Sequence, residues 1–189
     1  MIRDQILESR SFRRFHQDVA ITEKTLRELV DLARNSATAS NRQPLKFILS
    51  SDPEKNAKIF PLIGFAGQFR DWPGPAEGER PTAYIVILLD TEISKSVDCD
   101  HGIAAQSILL GAREKGLGGC MHGSAKKDEL RKAINIPDKY EILLVISLGE
   151  PGEKVVLETV GPDGDIKYWR DEDSVHHVPK RTLDELIVG

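Results

Sequence analysis

Four short segments carry residue types able to hold a ligand. The first is Ser9-Arg10-Ser11-Phe12-Arg13-Arg14-Phe15. Arginines three apart share a helical face or converge in a turn, and a hydroxyl stands between them. Guanidinium forks with a hydroxyl suit a phosphate or the oxygen-rich edge of a heterocycle. The same spacing also suits a solvated basic face near a helix end. The second segment, Thr38-Ala39-Ser40-Asn41-Arg42-Gln43-Pro44, is small and polar. Asn41 and Gln43 each offer donors and acceptors, which fits the mixed edge of a flavin-type pyrimidine or an amide. A turn whose Asn and Ser bond their own backbone has the same composition. The third, Gly116-Leu117-Gly118-Gly119-Cys120-Met121-His122-Gly123-Ser124, resembles a phosphate loop only superficially. It lacks G-x-G-x-x-G, and it leaves a helix and enters a strand, the reverse of the dinucleotide fingerprint. Its glycines would let backbone approach a flat ligand closely. The fourth, Pro179-Lys180-Arg181, puts two cations ahead of a short helix, where they could complete a phosphate site or lie on a solvated tail.

Metal and thiol chemistry have less support. Cys99, Asp100 and His101 are consecutive and do not readily converge on one ion. Cys120 with His122, and His176 with His177, lack a standard zinc spacing. Cys120 near His122 has no third group to orient a base. No metal is expected.

The elements that must position these segments follow from periodicity. Helices are expected over 2–8, 22–35, 53–63, 101–115, 126–134 and 183–187. Thr22 is the N-cap of the second, with Ile21 and Leu26 in the hydrophobic-staple positions. Leu26, Leu29, Val30 and Ala33 give that helix an apolar stripe. Strands are expected over 46–50, 82–89, 118–121 and 142–148; continuous apolar character makes 82–89 a central strand. Residues 36–44 read as a loop, 64–81 as irregular because of their glycines and prolines, and the tail from 150 as polar and extended up to the last helix. Helices and strands intermix without strict alternation, which favours α+β. The helix through residues 102–112 is apolar or small nearly all round, so it must be buried on every side. Ala104, Ala105 and Gly111 would admit a second helix closely. A two-fold dimer core explains this; so does a buried central helix of a monomer.

The bulk properties narrow the function classes. A chain of 189 residues suits one domain. A net charge of −4 leaves no basic excess for general nucleic-acid binding. Two cysteines, Cys99 and Cys120, form no disulfide framework and suit a reducing cytoplasm. The first fifteen residues are charged, without the apolar run of a signal peptide. No apolar stretch approaches the ~18 residues of a membrane span.

Taken together and in order, these segments resemble the nitroreductase family. The family opens with an Arg-Arg-Ser-x-Arg-x-Phe-like motif, here Ser9 to Phe15. An Ala-Pro-Ser-x-x-Asn-x-Gln-Pro-Trp loop follows, here Ala37 to Leu45. Next come an apolar central helix with a Gly-Leu-Gly-like turn (Gly102 to His122), a Gly-x-Pro (Gly149-Glu150-Pro151) and a basic residue before a Leu-Asp-Glu ending (Arg181 to Glu185). Ser9 replaces the first arginine, Thr38 a usual serine-loop position, and Leu45 the tryptophan.

The resemblance implies an α+β sandwich, a central mixed sheet flanked by helices, in an intertwined homodimer with FMN at the interface. It implies NADH or NADPH as electron donor and a small electron-poor acceptor, with no nucleic acid and no membrane as partner. Arg10 and Ser11 would hold the FMN phosphate, with Lys180 and Arg181 closing it. Arg13 would lie at the flavin N1/O2 edge or the ribityl chain. Ser40, Asn41 and Gln43 would line the cofactor, in part from the second subunit. Met121, His122 and Gly123 would pass their backbone along the ring, with an amide near N5. The segment 65–80, with Gly64, Arg70 and Trp72, does not resemble the best-known members and is expected over the substrate side. Ile108→Arg is expected to give a monomer without FMN. A carrier or sensor without turnover, a relative doing other flavin chemistry, and a basic-patch interaction module are the rival readings.

Overall fold

Apolar alternation in one strand organises the molecule. In the computed structural model, which describes residues 1–69 and 71–189, β3 (Ala83–Asp90) is buried at every position. The period of two sends Ala83, Ile85 and Ile87 to one face and Tyr84, Val86 and Leu88 to the other. A strand buried on both faces needs cover on both, and helices supply it. On the first face lie α2 (Glu23–Arg34) and α4 (Asp100–Glu114), through Leu26, Leu29, Ala105 and Ile108. On the second lie α3 (Pro53–Ile59), its 3-10 extension Phe60–Leu62, and α5 (Lys127–Ala133), through Ile59, Ile63 and Leu130. This is an α+β sandwich of helices on a five-stranded sheet.

The sheet runs β1 (Phe15–His16), β5 (Tyr140–Pro151), β3, β2 (Leu45–Ser50), with β4 (Gly118–His122) also pairing with β5. Its ladders are antiparallel; the parallel component of the sheet is the single bridge from Ser11 to Gly119. β5 extends beyond the expected 142–148 because a bulge absorbs a change of phase. Ile87 pairs with Leu144 but Leu88 pairs with Ile142, so Ile142 and Val145 face the same core despite odd spacing.

Local signals set the helix ends. Thr22 caps α2, its side chain accepting from the Thr25 amide at 3.2 Å. α1 (Ile2–Glu8) forms as expected. The α3 region ends earlier than residue 63, where Pro61 stops the α-helical ladder.

Two expectations need correction. The tail is not simply extended. It folds into a three-stranded sheet, β6 (Val155–Thr159) parallel to β8 (His176–Lys180), which pairs antiparallel with β7 (Trp169–Arg170), before α6 (Leu183–Leu186). Nor is α4 buried on every side of its protomer. Ala104, Ala105, Ile108, Leu109, Gly111 and Ala112 are buried, whereas Gly102, Ile103 and Gln106 face outward. A Cβ at Gly111 would meet Leu32 Cδ1 at 2.2 Å, so this small residue admits α2 of the same chain. Ile108 is fully buried in its own core; an arginine there would unfold the protomer before it could separate two. Among the described residues no helix is long and apolar enough to cross a membrane.

Candidate functional site

Arg10, Ser11 and Arg13 lie on the link between α1 and β1, drawn along the open edge of β4. Phe12 donates its amide to the Gly119 carbonyl at 3.0 Å, and Phe12 itself is buried. That burial turns the flanking residues outward. Arg10 donates to the Ile6 carbonyl, and burial lowers its pKa from the ordinary value, though guanidinium stays a cation. Arg13 donates to the Ser11 carbonyl at 3.2 Å and lies over the Tyr168 ring at 4.9 Å. Neither guanidinium has a carboxylate partner among the described residues, and the Nε of each is buried without a hydrogen bond. Half-buried guanidinium groups without a carboxylate partner fit an anionic ligand.

β4 contributes backbone. The Gly119 carbonyl points to Phe12, away from β5, so the two-residue alternation turns the Met121 amide to the same open edge. The glycines do not act as expected. A Cβ at Gly118 would meet Phe12 at 2.4 Å, and one at Gly119 would meet the Ser147 carbonyl at 2.5 Å. Both are required by packing within the chain. In this segment Gly116 and Gly123 have nothing within 4 Å of a Cβ. The His122 side chain is also committed inward: Nδ1 donates to the Gly64 carbonyl and Nε2 accepts from the Ser147 hydroxyl, each at 2.8 Å. Burial, with the Arg13 charge adding to it, pushes its pKa down to about 4. Only its backbone is left for a ligand. Burial raises the Cys120 pKa, so that thiol stays protonated.

The loop with Ser40, Asn41 and Gln43 lies elsewhere. These residues hold φ of 52°, 53° and 51°, in the left-handed region that non-glycine residues rarely take, at a cost on the order of 1 kcal/mol each. The Ala39 amide donates to the buried Asp100 carboxylate at 2.9 Å, which ties the loop to the start of α4. The loop feeds β2, and Leu45 pairs with Leu89 at the end of the sheet where Leu89 pairs with Glu141. Gly118, beside the arginine segment, pairs with Gly149 at the other end of β5. Those ends are about 25 Å apart along the strand, and three strand spacings of ~4.8 Å separate the two edges. The chain thus holds the two segments at diagonal corners. Lys180 ends β8 and Arg181 leans on Glu185 at 3.5 Å; neither contacts Arg10 or Ser11 among the described residues.

Sequence reasoning missed Glu153. Its side chain is 1% exposed, and its Oε1 accepts from the amides of Arg13 and Arg14, while Oε2 accepts from Arg170 at 2.9 Å. Burial would push this carboxyl up. The neighbouring His176 ring, the Arg13 amide and the Arg170 charge outweigh that and hold it below the usual carboxylate range. Its signal in the chain is slight: one acid two residues past Gly149-Glu150-Pro151. The 65–80 segment packs on the same region. Phe65 meets the His122 ring at 4.7 Å, Phe69 meets Tyr168 at 5.0 Å, and Arg170 lies over Trp72 at 4.5 Å. Arg70 lies outside the described residues.

A helix-covered α+β sandwich with unpaired arginines beside an open backbone edge defines a protein built to take an anionic, flat-edged ligand. The nitroreductase family profile matches residues 6–150, and the chain belongs to the nitroreductase family. A protein of Archaeoglobus fulgidus, provisionally named NADH dehydrogenase/NAD(P)H nitroreductase, is 28% identical over 75% of this chain and 80% of its own. An FMN reductase (NADPH) of Bacillus subtilis is 28% identical over 78% of this chain and 65% of its own. A nitroreductase family protein of Streptococcus pneumoniae TIGR4 shares the fold across both whole chains, 100% of each, with a TM-score of 0.70 at 16% identity.

Proposed function

We propose that the protein is an FMN-dependent NAD(P)H oxidoreductase, working as a homodimer and reducing an electron-poor acceptor such as a nitroaromatic or a quinone. The observation that carries this reading is the pair of guanidinium groups, Arg10 and Arg13, without carboxylate partners among the described residues, beside the open edge of β4. Family membership and the flavin reductase of Bacillus subtilis support it.

When bound, FMN would supply the two-electron chemistry that links NADH or NADPH to the acceptor. The residues supply position and charge. Arg10 and the Ser11 hydroxyl bind the phosphate, and Lys180 and Arg181 close it. Arg13 faces the N1/O2 edge, where its fixed charge offsets the negative charge that reduction brings. The Met121 amide is the donor for the N5 side, and His122 and Gly123 extend that backbone strip. Ser40, Asn41 and Gln43 reach the ring from the second copy, because one chain holds them at the far corner. The outward stripe of α4, with Ile103 at 37% exposure, is the surface on which two copies meet. A reducing cytoplasm suits its two free cysteines.

A visible absorption spectrum of the purified protein tests the cofactor, and NADH or NADPH consumption with a nitroaromatic or quinone tests turnover. Flavin bands with steady consumption are expected. A colourless protein that takes up no added FMN would overturn the reading. Bound flavin without turnover would replace it with a carrier or sensor.

A further inference from the structure

We propose that Glu153 is the positioning residue for Arg13, and that through it the C-terminal sheet sets the electrostatics of the cofactor edge. The inference rests on the flavin reading above, but its residues are this chain's own. Glu153, Tyr168, Arg170 and His176 all lie beyond residues 6–150, which the family profile matches.

Three observations meet at this carboxylate. First, Oε1 accepts both the Arg13 and Arg14 amides, so it fixes the backbone from which the Arg13 side chain springs. Second, Oε2 accepts from Arg170 at 2.9 Å and stands 3.8 Å from Nδ1 of the fully buried His176, which binds it to β7 and β8. Third, the same tail carries Tyr168, whose ring lies under the Arg13 guanidinium at 4.9 Å. Tyr168 is held in turn by a reciprocal pair: the Gln68 amide donates to its hydroxyl at 3.2 Å, and its own amide donates to Gln68 Oε1 at 3.1 Å. Arg13 is therefore gripped at its backbone by Glu153 and at its head by Tyr168, and both grips belong to one C-terminal unit. A charge meant to stabilise developing negative charge acts only if it is held in place before the reaction. The Arg13 guanidinium has no carboxylate partner among the described residues, so its position depends on these two grips.

The test is a double-mutant cycle on the FMN-loaded dimer, read by FMN Kd and by the reduction potential of bound FMN. Glu153→Gln keeps the shape but turns a donor toward either Arg170 or the Arg13 and Arg14 amides. It is expected to raise the Kd roughly ten- to hundredfold and to lower the potential, as Arg13→Ala does. In the Arg13→Ala background it should add little, because a group acting through Arg13 has nothing left to act on. Tyr168→Leu, which leaves the carboxylate network intact, should shift the potential in the same direction and serves if Glu153→Gln does not fold. Additive effects, or a potential that rises on loss of the carboxylate, overturn the positioning role. If Glu153→Gln does not fold, an unchanged potential in Tyr168→Leu overturns it as well. A wild-type protein that binds no FMN overturns both this inference and the reading beneath it.

Discussion

At one corner of the sheet Arg13 is held from three directions: its amide by Glu153, its guanidinium by the Ser11 carbonyl and the Tyr168 ring. At the diagonal corner Ser40, Asn41 and Gln43 stand in left-handed backbone, exposed, and anchored chiefly by the Ala39 amide on Asp100. The first corner is built and supported within one chain. The second carries strain that nothing in its own chain uses. Strain of this sort persists where the surroundings demand it, and in the proposed dimer a second copy of the chain is that surrounding. The difference accords with the proposed dimer, in which each copy supplies complementary halves of two sites.

Separating the copies should have the largest effect. Ile103→Arg places a cation on the outward stripe of α4 and is expected to halve the mass seen by light scattering and abolish FMN binding. A flavin-bearing dimer in that variant would break the comparison. Next comes Arg13→Ala, expected to slow hydride transfer or weaken FMN binding by roughly 10²–10³-fold, as stopped-flow reduction would read. Mixing it with Asn41→Ala sharpens the point. If the halves come from different chains, a mixed dimer regains one intact site, so random reassortment restores roughly a quarter of the sites. If both come from one chain, mixing restores none.

Acid should loosen the first corner but not the second. His122 has its pKa pushed from 6.5 to about 4 by burial. The unfolded chain therefore takes up this proton first, and stability present above pH 6.5 is lost as pH falls toward 4. The loss is on the order of 3 kcal/mol, measurable by urea unfolding across that range. It should vanish in His122→Gln; an unchanged acid slope would remove His122 as its source. A smaller effect is expected of Gly119→Ala, which drives a methyl onto the Ser147 carbonyl at about 1–3 kcal/mol. Gly123→Ala, which meets nothing, should stay within ~0.5 kcal/mol. Equal losses at the two glycines would contradict the packing role.

Much of the architecture was legible from short-range pattern. The α2 stripe and its Thr22 cap, the continuous apolar run of β3 and the glycine-rich 64–81 stretch each depend on neighbours within a few residues. Arg10, Ser11 and Arg13 stood out by spacing and proved to lie together beside β4. The glycines of β4 were misread because their contacts, Phe12 and Ser147, are far along the chain. Glu153 gave almost no signal, since its partners are the backbone of residue 13 and a guanidinium at residue 170.

Composition and periodicity by themselves determined that this chain forms helices on a sheet, without a disulfide framework. Those properties reside in residue type and local spacing. Only the tertiary structure decided that Ile108 faces its own core, that the polar loop and the arginines stand at opposite corners, and that a buried glutamate from the tail steadies Arg13. These are outcomes of strand order and register, which pair residues more than a hundred positions apart and leave no periodic trace in the chain.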